Sequence, residues 1–276
     1  MSSSRAMSSP LANPTAWDNV ADGYLGDLLP FYTHYAKDAL ELAGLSQGST
    51  VLDVACGPGT LALLAARQGT QVTAVDFSPA MIDLLAHQIE EEKLGNITAK
   101  VGDGQRLALS SETFDVAFSL FGLIFFPNRS QGLFELFRTL KPGGRLVISS
   151  WVPVDRIPSL KALWTIVGEV EPDMPYGNNK APMGEPADIH MELAMAGFVE
   201  TQVKTVSHTL VYPTIRDFWQ SMLRSSPPLA LIQQRLPEQE WKVFQEKVYK
   251  RLVAELGEGE VRAKWPAHIG MGKKPE

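Results

Sequence analysis

One segment of the chain combines a carboxylate, a glycine-rich turn and the start of a helix, so chemistry is expected there first. It reads Val-Leu-Asp-Val-Ala-Cys-Gly-Pro-Gly-Thr over residues 51–60. Gly57 and Gly59 let a ligand approach the backbone closely, and the predicted helix behind them offers free N–H groups. The same glycines, with Asp76 about 20 residues further on, also fit a dinucleotide-binding fingerprint. The glycines alone therefore leave the ligand open.

Two further acidic residues favour a cationic ligand over a pyrophosphate. Asp53 lies in the strand that enters the glycine turn, where its charge would repel a pyrophosphate and suit an amino group or a sulfonium. Asp103 lies in a second turn, Gly-Asp-Gly, and its carboxylate can accept a hydrogen bond from an adenine amino group. An NAD(P)-dependent oxidoreductase requires neither carboxylate and becomes the weaker alternative.

The elements that must position these residues alternate between strand and helix. Strands are predicted at residues 51–55, 72–76, 97–101, 114–120, 145–151, 199–211 and 268–272. Helical patterns between the first five strands predict a mostly parallel sheet with both faces covered. Ligands of such sheets bind beyond the carboxyl ends of the strands. The predicted fold class is α/β, a doubly wound, Rossmann-like sheet of seven strands with a helical cap.

The flanking segments differ from this core. Residues 1–12 are expected to form a disordered tail, and residues 13–276 a single domain. Within that domain, residues 46–151 are predicted to bind the cofactor. The predicted substrate cap comprises residues 14–45, which are helical and rich in aromatic residues, residues 153–186, which appear irregular in pattern, and residues 213–260, which carry amphipathic helices.

Composition narrows the classes of partner. The formal net charge is −6, which disfavours binding to nucleic-acid backbones. The chain has one cysteine, Cys56, so no internal disulfide can form, and Cys56 is expected to be a packed side chain. Neither a bilayer-spanning apolar run nor metal-ligand spacing is recognisable. These features predict a cytoplasmic protein with a small-molecule partner, no metal and possible homodimer formation.

The combined blocks resemble a class I S-adenosylmethionine-dependent methyltransferase of the ubiquinone/menaquinone-biosynthesis-like group. The resemblance rests on residues 51–60, Asp76, the turn at 102–104 and the run Leu-Lys-Pro-Gly-Gly-Arg-Leu-Val at 140–147. It covers residues 50–151. Ala55 departs from the pattern, since the family often has a glycine there.

The resemblance implies S-adenosylmethionine as cofactor and S-adenosylhomocysteine as product. The implied cofactor site comprises Asp53, Ala55, Gly57, Gly59, Asp76, Phe77, Met81, Gly102, Asp103, Gly104, Gln105, Ser119 and Leu120. In this assignment Asp53 faces the methionine amino end, Asp76 takes the ribose hydroxyls and Asp103 reads the adenine. Phe77 and Met81 flank the adenine ring.

No catalytic residue can be read from the pattern. A sulfonium is a strong electrophile, so the protein needs a base only if the acceptor loses a proton during attack. His34, His190 and His208 lie in the predicted flanks and are weak candidates for such a base.

The acceptor is expected to be a small hydrophobic or aromatic molecule methylated on O, N or C. Tyr24, Phe121 and Trp151 are candidates for binding it, because aromatic residues crowd the N-terminal segment and the ends of the fourth and fifth strands. A non-catalytic or repurposed S-adenosylmethionine-binding protein stays open as an alternative, since catalysis of this kind leaves no residue signature.

Overall fold

The computed structural model describes residues 10–172 and 182–276. Within them seven strands form one sheet in the order β3-β2-β1-β4-β5-β7-β6. Their bounds are β1 Thr50–Val54, β2 Gln71–Asp76, β3 Ile97–Val101, β4 Phe114–Leu120, β5 Leu140–Trp151, β6 Val199–Tyr212 and β7 Val261–Lys273. The first five strands pair in parallel, and β7 runs antiparallel to both β5 and β6. The predicted fold class is confirmed.

Helices cover the sheet and extend beyond its carboxyl edge. Their bounds are α1 Thr15–Asp18, α2 Ala21–Gly23, a π-helical turn Tyr24–Leu28, α3 Leu29–Ala43, α4 Thr60–Arg67, α5 Pro79–Glu91, α6 Arg129–Thr139, α7 Pro158–Val170, α8 Pro186–Met195, α9 Ile215–Ser225, α10 Pro227–Arg235 and α11 Glu238–Leu256. Short 3₁₀ turns lie at Pro10–Ala12, Leu123–Phe125 and Val154–Arg156. No helix in the described ranges is long and apolar enough to cross a membrane.

Local sequence accounts for the helix that follows β2. Ser78 accepts a hydrogen bond from the Met81 N–H, and Pro79 occupies the first helical position, where its missing N–H costs nothing. Ser78 is itself buried. The start of α5 is thereby fixed next to Asp76, the last residue of β2.

Three segments differ from the sequence-based expectation. The tail was expected to reach residue 12, but Pro10–Ala12 form a 3₁₀ turn and Leu11 is buried. This boundary was wrong because one apolar residue in a Ser-rich stretch gives no periodic signal. Residues 1–9 lie outside the described residues.

The segment 153–186 was expected to be irregular, whereas α7 occupies thirteen of its residues. Pro158 starts that helix, so a residue interpreted as a breaker is in fact an N-terminal signal. Residues 173–181 of the segment lie outside the described ranges. The last strand is also longer than predicted, since β7 begins at Val261.

The hydrophobic core is divided between the sheet and the cap. Two clusters of buried residues lie on the two faces of the central strands. A third cluster joins α3, α7, α9, α10, α11 and the start of β7, with Phe31, Leu163 and Phe218 among its members. This cap cluster lies beyond the carboxyl ends of the strands and closes the space above them.

Candidate functional site

The loop after β1 has a strained backbone at the carboxyl edge of the sheet. Ala55 and Gly57 adopt positive φ of 58° and 55°, and Gly59 one of 91°. A side chain at Gly59 would meet the Leu85 side chain at 2.3 Å, whereas one at Gly57 would meet nothing within 4 Å. Gly59 is therefore required for packing and Gly57 leaves room for a ligand. A positive φ at Ala55 costs on the order of 1 kcal/mol, which is typical of functional sites.

Asp76 ties this loop to the next one. Its Oδ2 accepts a hydrogen bond from the Gly57 N–H at 2.8 Å, and its Oδ1 accepts one from the Ser78 N–H at 2.9 Å. The carboxylate is 6% exposed, and its burial raises its pKa to about 6. A third backbone hydrogen bond comes from Phe77, and a carboxylate has about four acceptor positions, so one remains for a ligand hydroxyl.

The Asp53 carboxylate accepts a hydrogen bond from the Ala62 backbone but keeps one oxygen without a partner. It is 2% exposed, and its Oδ2 has no hydrogen-bond partner. Burial, followed by the nearby charge of Asp76, raises the pKa of Asp53 to about 7. An unpaired buried carboxylate is costly, so this position favours a cationic or hydrogen-bond-donating ligand.

The second acidic turn lies at the same edge of the sheet. Asp103 is exposed, and its Oδ1 accepts hydrogen bonds from the backbone and side-chain N–H groups of Gln105. A side chain at Gly104 would meet the Phe126 ring at 2.6 Å and the Val54 side chain at 2.7 Å, so glycine lets this turn approach the end of β1. Phe77 and Met81 line the opposite wall.

A cavity of about 490 Å³ joins these acidic turns to the cap. Its acidic end is lined by Ala55, Gly57, Asp76, Phe77, Met81, Gly102, Asp103, Gly104 and Gln105. Its other end, the aromatic chamber, is lined by Tyr24, Leu28, Tyr32, Phe121, Trp151, Leu160, Trp164, Met222, Ser225, Ser226, Pro227 and Trp265. A smaller cavity of about 50 Å³ reaches Asp53, Cys56 and Thr60.

Two tyrosines lie where the two cavities meet. Tyr24 and Tyr32 line both, stack with ring centroids 5.1 Å apart and are hydrogen-bonded to each other. Of the side chains that line both cavities, these two carry polar atoms, while the others belong to Ala55, Leu120 and Phe121. Tyr24 and Tyr32 are therefore the polar side chains shared by the aromatic chamber and the smaller cavity that reaches Asp53.

The walls of the chamber are aromatic rings packed against one another. The Phe121 and Trp151 rings stack with centroids 4.0 Å apart, and Trp265 packs edge-on against Trp151 at 5.8 Å. The Tyr35 hydroxyl donates a hydrogen bond to the Trp265 carbonyl and so ties α3 to β7. Phe121 also has a positive φ of 58°, next in space to Ala55.

The N-terminal segment closes the cavity and is held at two points. Asp18 accepts hydrogen bonds from the Ser78 hydroxyl and, at 3.3 Å, from the Ala80 N–H, which anchors α1 to the start of α5. Asp27 receives two hydrogen bonds from Arg224 of α9, at 2.9 and 3.1 Å. Trp17 lines the cavity between these anchors.

Most of the residues expected from the sequence meet in this one place. Nine of the thirteen predicted cofactor residues line the acidic end. Leu120 lines both cavities, Asp53 lines the smaller one, and Gly59 and Ser119 line neither. Ser119 is buried behind Gly122, and its hydroxyl has no partner. Tyr24, Phe121 and Trp151 all line the aromatic chamber. Cys56 is buried, which fits the expected packing role.

The three histidine candidates lie elsewhere. His208 bonds to Asp38 at 2.6 Å and stacks on His34. His190 bonds to the Thr201 hydroxyl at 2.7 Å. None of the three lines either cavity, so the geometry gives them no role as a base.

Several cavity residues had no signal in the sequence. Trp164 lies in a helix that was not predicted, and Trp265 lies ahead of the predicted start of the last strand. Tyr32 belongs to the aromatic N-terminal segment. Because Tyr32 and Tyr35 are three residues apart, helical periodicity could have placed them on the same face of α3. The position of Tyr32 at the cavity depends on how α3 packs.

Comparison with known proteins agrees with this geometry. Residues 51–144 match the family model described as "Methyltransferase domain". This segment is similar to methyltransferase domains. It holds the loop after β1, Asp76 and the second acidic turn. The predicted resemblance to class I methyltransferases of the quinone-biosynthesis-like group is confirmed.

Individual relatives extend the methyltransferase match. A ubiquinone/menaquinone biosynthesis C-methyltransferase of Geobacter sulfurreducens is 37% identical over 45% of this chain and 51% of its own length. An erythromycin 3''-O-methyltransferase of Saccharopolyspora erythraea is 29% identical over 67% of this chain and 61% of its own. The matched part of the chain thus spans about half to three fifths of the length of these curated relatives.

A solved structure shares the fold. A putative methyltransferase from Bacillus halodurans superposes with a TM-score of 0.59 at 20% identity, covering 87% of this chain and 99% of that one. At this identity the match shows the arrangement of strands and helices.

Proposed function

We propose that this protein transfers the methyl group of S-adenosylmethionine to a small hydrophobic or aromatic molecule. The observation that carries the proposal is the continuous cavity, with carboxylates and glycines at one end and stacked aromatic rings at the other. A cofactor and an acceptor that must react need adjacent compartments of such different chemistry.

The residues at the acidic end fit the cofactor. Its sulfonium supplies an electrophilic methyl group when bound. The partnerless Oδ2 of Asp53 suits the cationic amino group, and the remaining acceptor position of Asp76 suits a ribose hydroxyl. The open space beside Gly57 lets the backbone approach the ligand. Asp103 and Gln105 line the same end of the cavity and would contact the adenine of the bound cofactor.

The chain contributes mainly alignment and the exclusion of water. Asp18 and Asp27 hold the N-terminal segment across the cavity, so the acceptor is enclosed by the cap. We therefore propose residues 46–151 as the cofactor-binding core. The parts of 14–45, 153–186 and 213–260 that the structure describes form the substrate cap, which the separate cap cluster supports. Enclosure of this kind favours in-line transfer by orienting both reactants.

Calorimetric titration tests the cofactor assignment. The purified protein is titrated with S-adenosylmethionine, S-adenosylhomocysteine and NAD(P)H. Micromolar binding of the two adenosyl ligands, with none of the nicotinamide, is expected. Binding of the nicotinamide alone would make the protein an oxidoreductase candidate and leave Asp53 and Asp103 with structural roles only.

Turnover separates an enzyme from a binding protein. Incubation with methyl-labelled cofactor and a library of small aromatic acceptors should transfer label to at least one of them. Adenosyl-ligand binding with no transfer to any acceptor favours the repurposed binding protein. A cytoplasmic location, the lack of a nucleic-acid partner and possible homodimer formation stay predictions.

A further inference from the structure

The charged side chains that line the two cavities are all acidic. They are the carboxylates of Asp53, Asp76 and Asp103, and no Lys, Arg or His of the described residues lines either cavity. The electrostatic potential inside is therefore negative, because no side-chain cation along the described walls offsets the ionised carboxylates. Such a potential favours a ligand that carries positive charge and disfavours one that carries negative charge.

This negative potential extends to the junction of the two cavities. Burial raises the pKa of Tyr24, the hydrogen bond with Tyr32 opposes that rise, and the charge of Asp76 adds to it. A charge that disfavours a phenolate at this place stabilises a cation there, because the same interaction acts with the opposite sign. The two tyrosines also satisfy each other by their hydrogen bond. The junction therefore suits a positive charge that needs no hydrogen bond.

Aromatic rings form much of the chamber wall beyond the junction. Six aromatic side chains line it, those of Tyr24, Tyr32, Phe121, Trp151, Trp164 and Trp265. The face of an aromatic ring carries partial negative charge and attracts a cation that lies over it, most strongly in tryptophan. An ammonium group with N–H donors needs carboxylate or carbonyl partners, and no described residue supplies a carboxylate to this chamber. A cation without N–H groups fits these walls better.

The chamber also lacks a base for an acceptor that must lose a proton. Its described polar side chains are tyrosine and serine hydroxyls and tryptophan indoles. The phenols stay protonated, because burial raises the pKa of both Tyr24 and Tyr32. A hydroxyl or carbon acceptor has to give up a proton on methylation, and a base assists that step. A nitrogen without N–H attacks through its lone pair and gives up none.

We propose that the acceptor is a nitrogen without N–H that is uncharged in neutral water, as in a pyridine-type ring, and that methylation makes it a fixed cation held by the aromatic chamber. This proposal rests on the proposed methyl transfer. The nitrogen lone pair forms the new N–CH₃ bond, and the S–CH₃ bond breaks with its pair left on sulfur. The positive charge passes from sulfur to nitrogen, and no proton is released. The reacting atoms thus carry one positive charge before and after transfer.

Two probes of the same outline test the proposal without turnover. N-methylquinolinium carries the fixed charge, and methylnaphthalene with its methyl group at the matching position has carbon in place of the nitrogen. Equilibrium dialysis measures both on protein saturated with S-adenosylhomocysteine. The cation should bind about tenfold more tightly, which lies within the range of cation–π interactions. Equal or tighter binding of the hydrocarbon, or no binding of the cation, would overturn the proposal.

The charge of the cofactor gives a second readout. S-adenosylhomocysteine is uncharged at sulfur, whereas S-adenosylmethionine is a sulfonium. N-methylquinolinium should bind about fivefold more weakly beside the sulfonium, as for two unit charges about 4 Å apart in water. Methylnaphthalene should bind equally well beside both. A cation that does not distinguish the two adenosyl ligands lies away from the sulfur, which contradicts the proposal.

Substitutions assign the preference for the cation to the aromatic rings. The quantity compared is the ratio of the two probe affinities, so a general loss of packing cancels. Tyr32→Leu and Trp164→Leu should each lower this ratio, whereas Tyr32→Phe keeps the ring and should keep the ratio. Tyr249→Leu is the control, since Tyr249 packs against the cap cluster and lines neither cavity. An equal loss in the control, or a loss in Tyr32→Phe, argues against ring-based cation binding.

Turnover compares the acceptor classes directly. Quinoline and naphthol have the same outline, but only naphthol must lose a proton on methylation. With methyl-labelled cofactor, label should pass to quinoline at least about tenfold faster, since the chamber supplies no base. Label on naphthol, or on other hydroxyl acceptors, in preference to nitrogen acceptors contradicts the proposal and leaves the proposed function intact. Failure of S-adenosylhomocysteine to bind at all is a separate result and overturns the proposed function instead.

Discussion

The two ends of the cavity are built in different ways. The acidic end comes from the three loops that follow β1, β2 and β3 at one sheet edge, and its parts lie within residues 53–105. The aromatic chamber draws on residues from Tyr24 to Trp265, which meet only through the cap cluster. The first is fixed by hydrogen bonds between neighbouring loops, and the second by packing between distant helices. The chemistry of the cofactor is thus separable from the choice of acceptor.

The largest expected effect is at the acidic end. Asp76→Ala removes the acceptor of the Gly57 and Ser78 N–H bonds and the proposed partner of the ribose. Cofactor binding should weaken by about 1–3 kcal/mol, as for other charge-assisted hydrogen bonds. Calorimetry measures this, with Asp115→Ala as the control because Asp115 lies at the opposite edge and bonds to Lys141. Equal cofactor affinity in both variants would show that Asp76 does not bind the cofactor.

Asp53→Asn should change stability and binding in opposite directions. Burial raises the pKa of Asp53 from 3.8 to about 7, so the folded protein binds this proton more tightly than the unfolded chain. The free energy of unfolding therefore falls as pH rises from about 4 to about 7 and stays low above that. An Asn side chain does not ionise, so the free energy of unfolding of the variant does not fall over this pH range. At pH 8 the variant should therefore unfold at a higher temperature than the parent, while its affinity for the cationic cofactor drops.

Thermal melts of both proteins at pH 5 and pH 8, with and without cofactor, check this result. The difference between variant and parent should shrink at pH 5, where Asp53 is protonated. A variant less stable than the parent at pH 8 would mean that the charged form of Asp53 is satisfied in the fold.

A substitution in the aromatic chamber should lower the affinity for the acceptor and leave the affinity for the cofactor unchanged. Trp164→Leu removes apolar surface from its wall, which should weaken acceptor binding by about 1–2 kcal/mol. Cofactor affinity should stay unchanged, because Trp164 lies at the far end from Asp76. Phe134→Leu, an exposed aromatic on α6, is the control. Comparable losses for acceptor and cofactor in Trp164→Leu would show that the two ends are not separable.

The smallest effect is expected where the N-terminal segment meets the core. Asp18→Ala removes the hydrogen bonds from Ser78 and Ala80, which should loosen α1 by about 1 kcal/mol or less. Hydrogen exchange of residues 15–28 should quicken, and cofactor should enter and leave faster. Asp22→Ala, an exposed residue on α2, should show neither change. If both variants behave alike, Asp18 does not anchor the segment.

The sequence predicted the acidic end well because its signals are local. The Asp-x-x-x-Gly-x-Gly spacing at residues 53–59 and the carboxylate that ends β2 identify loops whose neighbours in space follow from parallel strand order. Ser119 and Leu120 were both expected near the ligand, but of the two only Leu120 lines the cavity. Strand alternation decides which side chain at the end of β4 faces the cavity, and one register step exchanges the faces.

The cap was predicted in outline but not in detail. The N-terminal aromatic residues suggested a cover, yet the tail boundary and the content of residues 153–186 were wrong. The histidines were weak candidates because residue type alone does not tell where a side chain points. His208 and Trp265 are paired neighbours on β6 and β7, and only the tryptophan faces the cavity.

By itself the sequence determined the sheet, the glycine loop and the position of three carboxylates, since short-range spacing and hydrophobic pattern fix those features. Only the tertiary structure decided that Asp53 keeps a bare oxygen, that Tyr24 and Tyr32 join two cavities, and that no histidine reaches either one. Those facts depend on packing between segments more than 100 residues apart, as in the hydrogen bond from Tyr35 to Trp265. Contacts of that range leave no periodic trace in the chain, because each partner alone resembles an ordinary core residue.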